Sequence, residues 1–408
     1  MKKEIYLLIL LATIITACKK LYNPPATSTP GSYLVVEGVI NSGNDSTIIK
    51  ISHTVKLSEK TSVNPELDAV VTVDGDQNVS YPLVGIGNGR YVSAGLNLNS
   101  AHKYRLNVKT AAGKQYLSDY VDVVNSPPID SISFDLKGSV TGPGLNIYVN
   151  THDQNNKARY FRWDYQQTWI IHAGFESLYK STGDTVLKRD LVNDNIYTCW
   201  LSDTSSSIVL GSSAKLTQNV ILANPITSIA STAEKLGVAY SIIVKQYALT
   251  PEAFNFYTNL KKNTEQLGSI FDAQPSEISG NIHSVANPAE PVIGYISAGS
   301  PSSKRIFISK SQLPFKWVPD NYYSGCEIVK DERFRLPCCY YSINNGFAFI
   351  NQVDEFINFN KPDFLGYQAI PLLPIVRPGG PIEGYIAAPI ECTDCTLRGT
   401  NKAPAFWQ

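Results

Sequence analysis

Methionine is almost missing from this chain: the initiator is the only one in 408 residues. Histidine is scarce as well, and His53, His102, His152, His172 and His283 are scattered with no two at ligand spacing. No HExxH zinc helix is therefore written in the sequence, and each histidine reads as a surface or satisfied buried residue. Excess charge is absent too. Lys plus Arg and Asp plus Glu stand at 35 each, which leaves no overall field to draw the chain onto DNA or RNA. No basic stripe interleaved with aromatics appears, so nucleic-acid binding is not expected. Neither a Walker loop nor a GxSxG elbow is present.

What is abundant points to strands. There are 23 Tyr, 15 Phe and 5 Trp, together with much Thr, Val, Ser, Asn and Gly, a composition that favours strands and tight turns over helices. The expected class is mostly β, with length enough for two or more domains.

The N-terminus reads as an address. Lys2 and Lys3 precede an apolar run from Ile5 to Ile15, too short to span a bilayer as a mature helix, and Ile15-Thr16-Ala17-Cys18 closes it with small residues before a cysteine. Residues 1–17 are thus expected to be a lipoprotein signal peptide and Cys18 the lipidated first mature residue. A diacylglycerol on the thiol and a palmitate-type chain on the amine would anchor it firmly, at roughly 0.8 kcal/mol per buried methylene. Residues 18–32, rich in Pro, Ser and Thr, read as a flexible tether.

From Tyr33 the chain alternates in short runs cut by turns: Leu34 to Ile40, Ser46 to Val55, Ala69 to Val73, Lys103 to Val108 and Gln115 to Val124. Asp74-Gly75 is a hairpin turn; as an EF-hand loop it fails, since Val79 and Gly85 stand where Gly and Glu are needed. Residues 33–125 are expected to form an immunoglobulin-like or transthyretin-like β-sandwich. Pro127-Pro128, which cannot sit in a central strand, marks the boundary to a larger β-rich domain over 130–408. In Tyr160 to Tyr165 the odd positions are apolar or aromatic, while Arg162, Asp164 and Gln166 line the other face, which is either the wet side of a half-buried strand or a polar platform. One helix is expected over about 251–267. Thr250 caps it, Pro251 takes the first position, Gly268 ends it, and Phe254, Tyr257, Leu260 and Leu267 follow helical spacing.

Once Cys18 is set aside, six cysteines remain: Cys199, Cys326, Cys338, Cys339, Cys392 and Cys395. In an exported chain these are disulfide candidates, with fifteen possible pairings, and five of them staple the C-terminal region. Cys392 and Cys395 have zinc-ribbon spacing without the second CxxC a ribbon needs, so no metal is expected. Ser212-Ser213-Ala214-Lys215 matches a bare SxxK pattern without its companion motifs, and no carboxylate pair is singled out for glycoside hydrolysis. No catalytic residue and no cofactor is assigned. Trp163, Trp169, Tyr322 and Tyr323 are the candidate ligand-binding aromatics, since exposed Tyr and Trp stack on sugars and grip peptides. Trp200 and Trp407 read as packing residues.

Several phrases together carry a family resemblance. They are Cys199-Trp200, Tyr240-Ser241-Ile242, the helix from Pro251, Gly268 to Pro275, Gly280-Asn281-Ile282, Asn287-Pro288, Gly294-Tyr295, Cys338-Cys339, and Glu391 to Cys395 with Gly399, Lys402 and Phe406-Trp407. The chain resembles the Bacteroidota lipoprotein family known as domain of unknown function 4249. The resemblance implies an outer-membrane lipoprotein encoded near TonB-dependent transporters, hence a non-enzymatic accessory partner of such a β-barrel in nutrient uptake. Two further readings stand beside it, a glycan-binding or adhesive surface protein and a hydrolase of unknown substrate. Lys19 and Lys20 follow the lipidated cysteine where surface lipoproteins of such bacteria often carry acids, so the cell-surface and periplasmic faces both stay open.

Overall fold

The structure, a computed structural model, describes residues 33–55, 64–138, 142–181, 186–265, 280–326, 330–331, 336–337, 340–343, 346–349, 369–376, 379 and 382–407. Residues 1–32, which hold the expected signal peptide, Cys18 and the expected tether, lie outside the described residues, as do Cys338 and Cys339. The fold is mostly β, as the composition implies.

The first unit begins with β1 (Leu34–Ile40), β2 (Thr47–His53), β3 (Asn64–Pro65), β4 (Val70–Gly75), β5 (Ser80–Gly85), β6 (Arg90–Ser93), β7 (Lys103–Lys109), β8 (Gln115–Ser118) and β9 (Val121–Asp122). Strand β5 pairs with β4 through Ser80 to Leu83 and with β6 through Val84 and Gly85, so it passes from one face of the sandwich to the other. Alternation does the sorting: Leu34, Val36 and Ile40 of β1, Ile49 and Ile51 of β2, Val71 and Val73 of β4, and Leu106 and Val108 of β7 turn into one core.

The sandwich expected over 33–125 is not completed by those residues alone. Three short strands from far downstream enter its sheet: β19 (Ile282–Ser284) pairs with β8, and β20 (Val292–Ile293) and β21 (Ser297–Ala298) run parallel to β1. A bridge from Val123 to Ala298 then nearly closes the ring. Parallel pairing needs a long crossover, and here the crossover carries the second unit's strands from residue 129 to 249 and its helix, while the strand Ser302–Ser309 of that unit follows only afterwards.

That second unit stacks two antiparallel sheets. One orders β10 (Ile129–Asp135), β11 (Gly144–His152) and β17 (Val220–Ala230); the other orders β15 (Thr198–Thr204), β12 (Tyr160–His172), β18 (Ala239–Leu249) and β22 (Ser302–Ser309), with β16 (Val209–Ser212) also on β12. A small hairpin of β13 (Tyr179–Ser181) and β14 (Val186–Lys188) stands apart. Between the sheets lie Leu145, Ile147, Val149, Phe161, Trp163, Ile229, Tyr240, Ile242 and Val244.

The expected helix is α1 (Pro251–Glu265), with Ala253 N–H donating to the Thr250 hydroxyl at 3.2 Å as an N-cap. It buries Ala253, Phe256 and Tyr257 against the outer face of the β12 and β18 sheet. The Asn125 to Asp130 segment is the seam between the units. Asn125 Oδ1 accepts from Ser42 Oγ and Ser300 N–H, and the Pro127 carbonyl accepts from Gln246 Nε2 and Ser302 Oγ.

Two disulfides form among the described cysteines, Cys199 to Cys395 and Cys326 to Cys392. Each ties the chain end to an earlier segment of the second unit. No helix of the described residues is long and apolar enough to cross a membrane.

Candidate functional site

Strand alternation that fills the two cores leaves two outer faces opposed across the seam. On β1 the odd positions Val35, Glu37 and Val39 point away from the first core, and Ile48 stands cross-strand to Val39. On the second unit Arg162 and Asp164 of β12 share a face with Tyr247 and Lys245 of β18, in register as Arg162 to Tyr247 and Asp164 to Lys245. Helix α1 brings Phe256, Tyr257 and Leu260 to the same place, and the loop after β20 adds Tyr295. Together these residues line a cleft of about 830 Å³ between the units.

Glycine lets the returning segment lie close against β1, on the first-unit side of the cleft. Gly294, at φ +147°, lies where an added Cβ would come within 2.2 Å of the Val36 carbonyl, and one on Gly280 would strike the Gly294 carbonyl.

The polar centre of the cleft is Arg162. Its Nη2 donates to Asp164 Oδ2 at 3.1 Å, and its guanidinium lies over the rings of Tyr247 and Tyr257, at 4.7 and 4.5 Å from their centroids. The Nε–H is buried and has no hydrogen-bond partner. Burial alone would lower the pKa of this guanidinium, but the Tyr257, Asp164 and Tyr247 oxygens outweigh it and hold the group above its usual range. Burial foremost, with Asp164 adding to it, pushes the Tyr247 hydroxyl up to about 12, and burial raises Tyr257 too, against the pull of Arg162. Both phenols are thus neutral at physiological pH. Lys245 is exposed and makes no ion pair with any described residue, whereas Glu37 across the cleft is engaged by Lys50 at 3.1 Å.

The four aromatics singled out from sequence fall elsewhere. Trp163 is fully buried, its Nε1 donating to Gln246 Oε1 at 2.9 Å, so the expectation that it meets a ligand is corrected: it is a core residue. Trp169 and Tyr323 are buried as well, and neither has a face free to stack on a ligand. Tyr322 is exposed but sits under Arg398, whose guanidinium lies 3.8 Å from its centroid and is held by Glu234. The residues that do line the cleft were partly visible. Alternation in the sequence puts Arg162 and Asp164 on one polar face and helical spacing puts Tyr257 in the helix stripe, while Lys245, Tyr247 and Glu37 carry no local signal.

Ser212 and Lys215 show no catalytic pairing: Ser212 Oγ accepts from the Ala214 N–H. Four histidines approach carboxylates, His53 with Glu66, His102 with Asp76, His152 with Asp130 and His283 with Asp119. Among the described residues no three His, Cys, Asp or Glu gather as a metal site.

The sequence matches the family described as Domain of unknown function (DUF4249) over residues 19–305. The chain belongs to this family. The matched span covers the first sandwich, the strands that complete it, helix α1 and both walls of the cleft, so the cleft is made entirely of family sequence. No curated protein matches the chain.

Proposed function

We propose that this family member is a lipid-anchored, non-enzymatic binding protein of the outer membrane, which holds a ligand in the cleft between its two units and acts beside a TonB-dependent β-barrel transporter in nutrient uptake. The observation that carries the reading is the cleft itself. Concave sites between domains, apolar over most of their lining with a few convergent polar groups, are the usual seat of small ligands, and this one sets Val35, Val39, Ile48, Phe256 and Leu260 around Arg162, Asp164 and Lys245. Support for the anchor is the Lys2 to Cys18 export pattern, and for the transporter the kinship with the family.

The glycan-binding alternative rests on fewer contacts than the capture reading: of the four aromatics named for a ligand, only Tyr322 is exposed. The deciding experiment is extraction of a C-terminally tagged copy from its native membrane in mild detergent. A stoichiometric β-barrel transporter in the eluate is the expected result; recovery of the lipoprotein alone, in a detergent that preserves such complexes, refutes the transporter partnership.

A further inference from the structure

The charges and rings of the cleft are unequally used, and that inequality selects a ligand. Asp164 is taken by Arg162 and Glu37 by Lys50, so on the second-unit wall Lys245 is the cation left over. Arg162 has five N–H donors in a planar fork. Asp164 accepts from Nη2 and nothing accepts from Nε–H. A buried donor left unmade is costly, so an acceptor reaching this guanidinium gains more than it would elsewhere on the surface.

The rings argue against the other classes. A cationic ligand or a sugar needs a bare aromatic face. Tyr247 and Tyr257 already have Arg162 over them, and Phe256 lies against Tyr295 at 5.5 Å between centroids. Asp45 is the one acid lining the cleft without an ion pair among the described residues, and it has no aromatic cage around it to hold a cation.

We propose that the cleft takes a small organic carboxylate, its head at Lys245 and Arg162 and its apolar body against Val39, Ile48, Phe256 and Leu260. This rests on the capture reading above and adds the chemical class. A carboxylate complements Lys245, the lining cation without an ion pair among the described residues, and can accept in the plane of the guanidinium, while its amide cannot take the Lys245 charge.

The test is calorimetric titration of the full lipidated chain in lipid nanodiscs with two matched pairs: hexanoate against hexanamide, and N-acetyl-leucyl-phenylalanine against its C-terminal amide. The acids are expected to bind about tenfold more tightly than the amides, with Lys245→Gln erasing the preference and leaving the melting midpoint unchanged. Lys245 is exposed, so that variant keeps the fold where Arg162→Gln disturbs the packing of Tyr247 and Tyr257. Equal binding of acid and amide overturns the carboxylate and leaves the capture reading standing. Binding of neither member of either pair overturns the carboxylate, and co-purification of the transporter then tells whether the accessory role survives.

Discussion

The indole of Trp163 donates to Gln246, whose own amide donates to the Pro127 carbonyl at 2.8 Å and to Thr151 Oγ1 at 3.1 Å. All of this happens at the centre of the second core, where Trp163 and Gln246 are both fully buried. Replacing Trp163 by Phe leaves the Gln246 oxygen without its donor and removes a ring's worth of volume, so it should cost about 2–4 kcal/mol in urea unfolding while ligand binding in the cleft is unchanged. Asp153 is a second residue whose role is legible only in three dimensions. Burial works to raise its pKa, but the backbone N–H groups of Ala158, Asn155 and Lys157 outweigh that and hold it below the usual carboxylate range. A group depressed in the folded state contributes stability above its unfolded pKa and loses it as pH falls through the folded value. The gap in urea midpoint between wild type and Asp153→Asn should therefore be widest near neutrality and close in acid; a gap that does not change with pH would mean the Asp153 charge is irrelevant to stability.

At the scale of the element, what local pattern controls was readable and what distance controls was not. Strand β12 shows both. Its alternation places Phe161 and Trp163 on one face and Arg162 and Asp164 on the other, but exposure cannot be read from a face, and so Trp163 and Trp169 look like ligand contacts in the sequence although both are core. Helix α1 was legible because its signals are local: Thr250 caps it, and Thr250→Ala should lower stability by about 1 kcal/mol in thermal or urea melts. The disulfide pairing was not legible, since Cys199 and Cys395 are 196 residues apart in sequence and six thiols permit fifteen pairings. That bridge joins β15 to the turn at Cys395 to Leu397, where the Thr400 and Trp200 backbones also pair. The double change Cys199→Ala and Cys395→Ala should cost about 2–5 kcal/mol, read as a lower urea midpoint under non-reducing conditions.

At the scale of the molecule the seam decides both the site and how the first unit is completed. The cleft could not be seen in the sequence because its lining is drawn from β1, β12, β18, α1 and the loop carrying Tyr295, segments spread from Val35 to Pro301. The completing strands were equally hidden: β19, β20 and β21 are two or three residues each, too short for periodicity to announce. Yet they cover β8 on one side and β1 on the other, and with Ile296 of the loop before β21 they contribute Ile282, Val292 and Ala298 to the first core. Without them two strand edges lie open, which is a template for aggregation, and buried apolar surface is lost along β1. A fragment ending at residue 126 should consequently be aggregated or lack a cooperative melt. The same fragment joined through a flexible linker to residues 280–300 should regain one, because that stretch restores both edges and the Val123 to Ala298 bridge. If the shorter fragment instead unfolds cooperatively near the midpoint of the full chain, the first unit is independent of the returning strands. In that case the cleft lies between two bodies held by the Asn125 to Pro127 and Ser300 to Ser302 contacts, rather than beside a first unit that cannot fold without its returning strands.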